Sequence, residues 1–481
     1  MKKTSDRVFA ALILTAMLAG LVSCGGSEGK DVTTDSGSGD TSSQTETTVD
    51  IYADLPTGDY GNEKFSILNS SYTYCEYRLD TETQNGDTMN DAIFNRTSLV
   101  EEMLNIDIEV TDQDYWGSVA NIMNLVLAGD DTYDACSLGV MKNVPGIMAG
   151  VFTDLYEVDE IDLDKPWWDS GSTKFYEIGG KLFTAHSDIS ANIHDTMWTC
   201  FFNKSIRENM KLDDIYELVR TGKWTLEKML SLIETATIDL NGDNTMGADD
   251  QWGLMTHNGA CFGFLHGADA RAIDIENGVP FVRKVDDHLF DVITEIRKIF
   301  ESSGTMTNNK HKDALGYTCV DGFANNKSLF LVEVLGNAAK LRGMAADFGI
   351  VPYPKYDESQ ENYVSYYSPA ANGVCIPKTA KDISRSGTVV EVMSAIGYKL
   401  IRPAYYDVVL TSKTARDEES VEMLDIIFSN IESDMAYMYG WGGYSDALIS
   451  VMTGSSDIMS TLEAKRSATE EAIKTYMSEI K

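Results

Sequence analysis

An α/β fold is what this 481-residue sequence predicts. Apolar residues recur alternately at strand spacing and at helix spacing along the chain. The body is long enough for two or more domains, and at 43% hydrophobic residues it can build proper cores. Its carboxyl-terminal part carries helical stripes almost alone.

The elements follow in order. Lys2, Lys3 and Arg7 form a basic start, and Val8 to Leu21 form a nearly unbroken apolar run. That run is too short to span a bilayer as a helix but suits a secretory signal. It closes on Leu21-Val22-Ser23-Cys24, which resembles the bacterial lipobox. Residues 1–23 are therefore expected to be a lipoprotein signal peptide and Cys24 the lipidated amino terminus. From Gly25 to about Asp50 the chain is almost devoid of apolar side chains. Such a stretch cannot offset the entropy of ordering it, so 24–59 reads as a flexible tether. Membrane contact is expected through that lipid alone, on the outer face of the cell membrane.

Phe65 to Leu68 then reads as a strand. Met89, Ile93, Val100, Met103 and Leu104 mark a helical face, with Thr88 as its N-cap. Ile106, Ile108 and Val110 alternate as a strand; Val119, Ile122, Met123 and Val126 are a helix; Tyr133 to Leu138 is a strand. A β-α-β-α-β order predicts a parallel sheet with helices on its faces. Further on, Thr199 to Phe202 is a strand leading into a helix from about Asn203, and Thr225 caps a helix carrying Met229, Leu230, Leu232 and Ile233. Ser328 to Val332, Phe348 to Val351 and Gly373 to Ile376 are strands. Two helical stripes follow: Val389, Val392, Met393, Ile396 and Leu400, then Val421, Leu424, Ile427, Phe428 and Ile431.

Short segments in a fixed order resemble the bacterial family 1 extracellular solute-binding proteins, the maltose-binding-protein-like group. They are Tyr133-Asp134-Ala135 with Phe152-Thr153-Asp154-Leu155, Phe202-Asn203-Lys204, Lys223-Trp224-Thr225, Asn326 to Phe330 leading to Ile350-Val351-Pro352-Tyr353-Pro354, and Asn372 to Lys378. Asp164 to Asp169 and Tyr405 to Leu424 resemble a clostridial-type lipoprotein branch of that group. The resemblance implies a two-lobed, periplasmic-binding-protein-like (type II) fold with hinge strands and a helical carboxyl-terminal part. Lobe 1 would hold 60–200 and 376–431, and lobe 2 would hold 201–375 and 432–481. It implies capture of a mono- or oligosaccharide in the inter-lobe cleft, delivery to ABC permease subunits, a monomer and no catalysis.

Sugars present apolar C–H faces ringed by hydroxyls, so aromatic platforms beside polar groups are the candidates. Tyr439 and Trp441 lie in a glycine-rich segment with Tyr437 and Tyr444, where the family often stacks an aromatic on sugar. Trp116 follows the second strand, and Trp198 lies at the implied lobe crossing beside Asp195. Burial in a core is the commoner fate of any one aromatic. Trp167 and Trp168, after Pro166, fit either fate.

Asp239 to Asp250 spaces oxygen ligands as a calcium loop does: Asp239, Asn241, Asp243 and Asp250 by side chain and Thr245 by its carbonyl. Asn244 stands where a left-handed residue is needed. The metal would be structural; the bland reading is an Asx-rich surface turn.

The formal net charge of −36 repels nucleic acid and suits a neutral or cationic solute. A peptide or polyamine is the alternative ligand on that ground. The sequence holds no HExxH, GxSxG, P-loop or GxGxxG, which argues against an enzyme; a surface-anchored glycosidase is the remaining rival. An adhesin that binds polymer without transport is a third possibility. Beyond Cys24, six scattered cysteines with no CxxC are expected to be mostly free.

Overall fold

A computed structural model describes residues 50–72, 78–411 and 418–480. Cys24, the signal segment and the tether up to residue 49 lie outside them. Thirteen strands lie among the described residues: β1 (Glu63–Ser71), β2 (Ile106–Asp114), β3 (Ala135–Gly139), β4 (Met197–Asn203), β5 (Trp252–Thr256), β6 (Ile273–Glu276), β7 (Val279–Val282), β8 (Thr305–Thr307), β9 (Ser328–Val334), β10 (Phe348–Val351), β11 (Ser365–Tyr367), β12 (Asn372–Cys375) and β13 (Ile431–Glu432).

The first sheet runs β12-β3-β1-β2. β1 is parallel to β2, with Phe65 opposite Ile108, and parallel to β3, with Leu68 opposite Cys136. Helices Thr88–Leu104 and Ser118–Leu127 make the two crossovers. This is the β-α-β-α-β unit expected from the periodicity. The first helix is capped one residue earlier than expected. The Asp87 carboxylate, not Thr88, accepts the Met89 and Asn90 amides, and a negative cap also meets the helix dipole. Met103 is exposed, while Met89, Ile93, Val100 and Leu104 are buried.

The second sheet runs β13-β11-β4-β9-β5-β8, with β10 also paired to β4. The helix expected from about Asn203 is Lys204–Asn209, with Asn203 as its cap, and Thr225 caps helix Leu226–Ala236, as expected. Gly253 has a packing reason: a Cβ there would stand 2.2 Å from the Ile233 carbonyl oxygen, so only glycine lets that helix rest on β5.

Helix Ile383–Thr411 serves two cores. Val389, Val392 and Met393 pack in the cluster that holds Phe65 and Leu138, whereas Ile401, Tyr405 and Val408 join Phe201, Leu331 and Ile350. Pro403 lies within the second stretch, between Ile401 and Tyr405, where it removes one helical hydrogen bond. Helix Glu418–Ser429 gives Leu424 and Ile427 to the second cluster. Val421 is exposed and Ile431 belongs to β13, so the last expected stripe is narrower than its spacing indicated. Cys136, Cys200, Cys261, Cys319 and Cys375 are free and buried.

Candidate functional site

Strand register places the site. The chain passes between the sheets where β4 begins and again between β11 and β12. Asn372 pairs with Gly139, so the carboxyl end of β3 abuts a crossing. Trp198 pairs with Val334, so the carboxyl end of β9 abuts the other, and β5 is parallel to β9. The carboxyl ends of the parallel strands in both sheets therefore point at the crossings, which is where open α/β sheets bind ligands.

The crossings are stitched by side-chain amides. Asn372 donates to Asn69 Oδ1 (3.3 Å) and to the Ser70 carbonyl (2.9 Å), and its own amide donates to Asn192 Oδ1 (2.6 Å). Asn69 in turn donates to Asp112 (2.8 Å).

On the first sheet's side Trp116 follows β2 and is 64% exposed. The Asp114 carboxylate accepts its amide, Tyr115 meets its ring edge-on at 5.5 Å, and Lys142 Nζ stands 4.0 Å over the indole. Partial burial lowers the Lys142 pKa. On the second sheet's side Trp198 is buried, with its ring 4.9 Å from that of His257. His257 Nε2 lies 3.4 Å from Glu333 Oε1, and Glu333 also accepts from Asn337. Asp195 is buried in the crossing itself, pressed on Gly336, where a Cβ would come within 3.1 Å of it.

Tyr439 and Trp441 come together, but inside a core. They stack at 4.2 Å and 7°, 9% and 5% exposed, and Tyr476 meets both edge-on. That glycine-rich segment forms helix Met435–Tyr439, a 3-10 turn at Trp441–Gly443 and helix Tyr444–Thr453. Gly440, Gly442 and Gly443 all take positive φ, so the glycines serve tight turning between helices. Of the five expected ligand residues, Trp116 alone presents an open face.

The segment leading to Tyr439 is anchored by a buried charge cluster that sequence reading missed. His266 Nδ1 is 3.0 Å from Glu432 Oε2 and its Nε2 is 2.9 Å from Asp434 Oδ2, so both ring nitrogens face carboxylates. Arg271 pairs with Glu432 through two nitrogens. Burial pushes the imidazole pKa down, but hydrogen bonds and charge from Asp434 and Glu432 outweigh it and raise it to about 9. Burial works against Glu432 too, yet His266 and Arg271 hold its pKa at about 2. A second missed pairing explains Trp167 and Trp168. Both indole N–H groups donate to Glu391, at 2.8 Å each, and burial still lifts that carboxyl to about 7.

The loop from Asp239 to Asp250 is closed by its own amides. Asp239 accepts from Gly242 and Asn244, Asn241 from Asp243, Asp243 from Thr245, and Asp250 from Leu240 and Gly247. Asn244 takes φ 63°, the left-handed conformation expected of it. Among the described residues no group of three or more His, Cys, Asp or Glu is placed to hold a metal ion. No helix there is long and apolar enough to cross a membrane.

Lys142, His257 and Glu333 were not anticipated. For His257 a signal existed: it is the first residue beyond the apolar run Trp252–Thr256, at the carboxyl end of a parallel strand.

No protein-family model matches the chain, and no curated protein matches it. Solved structures do. A sugar transporter protein from Rhizobium etli in an open conformation aligns at TM-score 0.59 and 13% identity, over 85% of this chain and 99% of that one. A cyclo/maltodextrin-binding protein complexed with maltotetraose aligns at 0.58 and 12%, over 86% and 97%. An ABC substrate-binding protein from Listeria monocytogenes in complex with cycloalternan aligns at 0.56 and 12%, over 86% and 99%. At these identities, what the chain shares with them is the two-lobed periplasmic-binding-protein-like fold.

Proposed function

We propose that this chain is an extracellular solute-binding protein of the family 1 type, which closes two lobes on a carbohydrate and hands it to ABC permease subunits. The observation that carries the proposal is the convergence of strand carboxyl ends from two sheets on the crossings, with Trp116 offering an open aromatic face there. Two structural neighbours, one complexed with maltotetraose and one with cycloalternan, lend support. A stacked aromatic beside hydrogen-bonding groups suits a pyranose. In this proposal the chain is held to the outer face of the cell membrane by a lipid on Cys24, acts as a monomer and performs no catalysis. Calcium in the loop Asp239–Asp250 would be structural, drawing on oxygens that now accept loop amides.

The test is isothermal titration of the chain with neutral oligosaccharides, peptides and polyamines, together with recovery of a labelled oligosaccharide after incubation. Saturable binding of intact oligosaccharide supports a receptor. Cleavage of the label would make the chain a glycosidase, and binding of cationic ligands alone would move the assignment to the peptide or polyamine class.

A further inference from the structure

A cavity of about 220 Å³ lies beside β11 and β13 at one edge of the second sheet, and it includes none of Trp116, Lys142, Trp198, His257 or Glu333. A cavity of about 150 Å³ admits benzene, so this one has room for a substituted six-membered ring. Its walls come from the loop before helix Ser170–Tyr176, the segment Ser187–His194, helix Ile383–Thr411 and the end of helix Glu418–Ser429.

The lining combines flat faces with hydrogen-bonding groups. Trp168 and Tyr367, both buried, and the half-buried Tyr406 and Phe428 supply its rings. Asp188, buried, accepts from Arg402 Nε (3.0 Å), lies 2.7 Å from Arg402 Nη2 and 3.1 Å from His194 Nε2. Because the guanidinium stays charged and is paired with this carboxylate, that end of the cavity offers no surplus charge to an ion. His194 Nδ1 is one of several buried polar atoms left without a hydrogen-bond partner, and among the lining groups it is free to meet a ligand atom. The Asp169 carboxylate, which caps its helix by accepting the Ser172 amide at 2.9 Å, and the Ser170 and Ser187 hydroxyls complete the polar part of the wall.

The Asp188–Arg402 pair, aromatic rings, an accepting carboxylate at Asp169, an orphan ring nitrogen and hydroxyls are complementary to a neutral ring carrying several hydroxyls. Its C–H faces would lie on the aromatics, and its hydroxyls would meet Arg402, Asp188 and His194. We propose that this cavity is a second binding site, for a neutral polyol of monosaccharide size. It does not rest on the crevice being a carbohydrate site.

The experiment is isothermal titration of the full chain with glucose, galactose, mannitol and myo-inositol at up to about 10 mM, enough to see a Kd near 1 mM, or about −4 kcal/mol. Choline and glutamate serve as charged controls. Ser170 is exposed at the start of its helix, so S170W fills the cavity mouth at little cost to the core. F428W fills it from the opposite wall and stands in should S170W not fold. One polyol is expected to bind, with at least tenfold weaker binding in the filled variant and an oligosaccharide titration of the crevice that does not shift with it. No polyol binding, binding only of a charged control, or polyol binding undiminished by filling would overturn the site. Failure of the crevice to take oligosaccharide would leave the polyol titration fully readable.

Discussion

Trp116 and Trp441 start from similar sequence surroundings: each adjoins glycine, and neither lies on a helical stripe. Trp116 ends up with an open face under a single lysine, Trp441 sealed between Tyr439 and Tyr476. The difference lies in what arrives from elsewhere. Helix Ile458–Glu479 crosses so near Gly442 that a Cβ there would stand 2.5 Å from the Thr469 amide nitrogen. That helix brings Tyr476 onto Trp441 and donates the Thr469 hydroxyl to the Trp441 carbonyl at 3.3 Å. Flat aromatics near glycine are thus as well suited to a close-packed helix junction as to a sugar platform.

The largest expected effect attacks the buried side of this comparison. Trp441→Ala removes a core indole and should cost about 3–5 kcal/mol of stability, read by chemical denaturation. A loss under about 1 kcal/mol, with ligand affinity falling instead, would return Trp441 to the binding surface.

Next comes the anchor beneath that segment. His266→Gln leaves Glu432 and Asp434 without their shared cation and should cost about 3 kcal/mol. The pH dependence gives a second readout. The folded His266 pKa of about 9 exceeds its ordinary value near 6.5, so its contribution is complete below about 6.5 and is lost as pH rises through 9. Glu432, held at about 2, contributes above about 4.5 and loses that contribution as pH falls through 2. Wild-type stability should therefore decline between pH 6.5 and 9 in a way that the variant does not.

Trp116→Ala tests the open side. Stability should change by no more than about 0.5 kcal/mol, as for an exposed residue. Oligosaccharide affinity should fall by about 2 kcal/mol, near thirtyfold, as for an aromatic anchor. Equal affinity for both proteins would remove Trp116 from the proposed site.

The smallest effect concerns the loop Asp239–Asp250. An extracellular calcium module of about millimolar affinity would stabilise the chain by under about 1 kcal/mol in 1 mM calcium. A small rise in Tm with calcium that disappears in Asp243→Ala would support occupancy; identical Tm values with calcium and with chelator would leave the loop an Asx-rich turn.

The first sheet was legible because its signals are local. Period-two and period-3.6 apolar patterns, with caps such as Asn203 and Thr225, depend on near neighbours in sequence. Asp87 and Thr88 are both acceptable caps one residue apart, and only the observed bonds choose between them. Trp198 was placed at its crossing, but its burial against His257 depends on strands far apart in the chain. Trp167 and Trp168 were readable as aromatic; that they hold Glu391, more than two hundred positions away, was not.

The sequence by itself determined the α/β class, the order of strands and helices in the first sheet and most of its core, because backbone propensity and apolar period act over a few residues. The tertiary structure decided which aromatics are covered, that His266 bridges Glu432 and Asp434, and that one helix serves two cores. Those outcomes depend on contacts across hundreds of positions, and burial, which sets both the energy of a ring and the charge of an imidazole, is a property of the assembled fold.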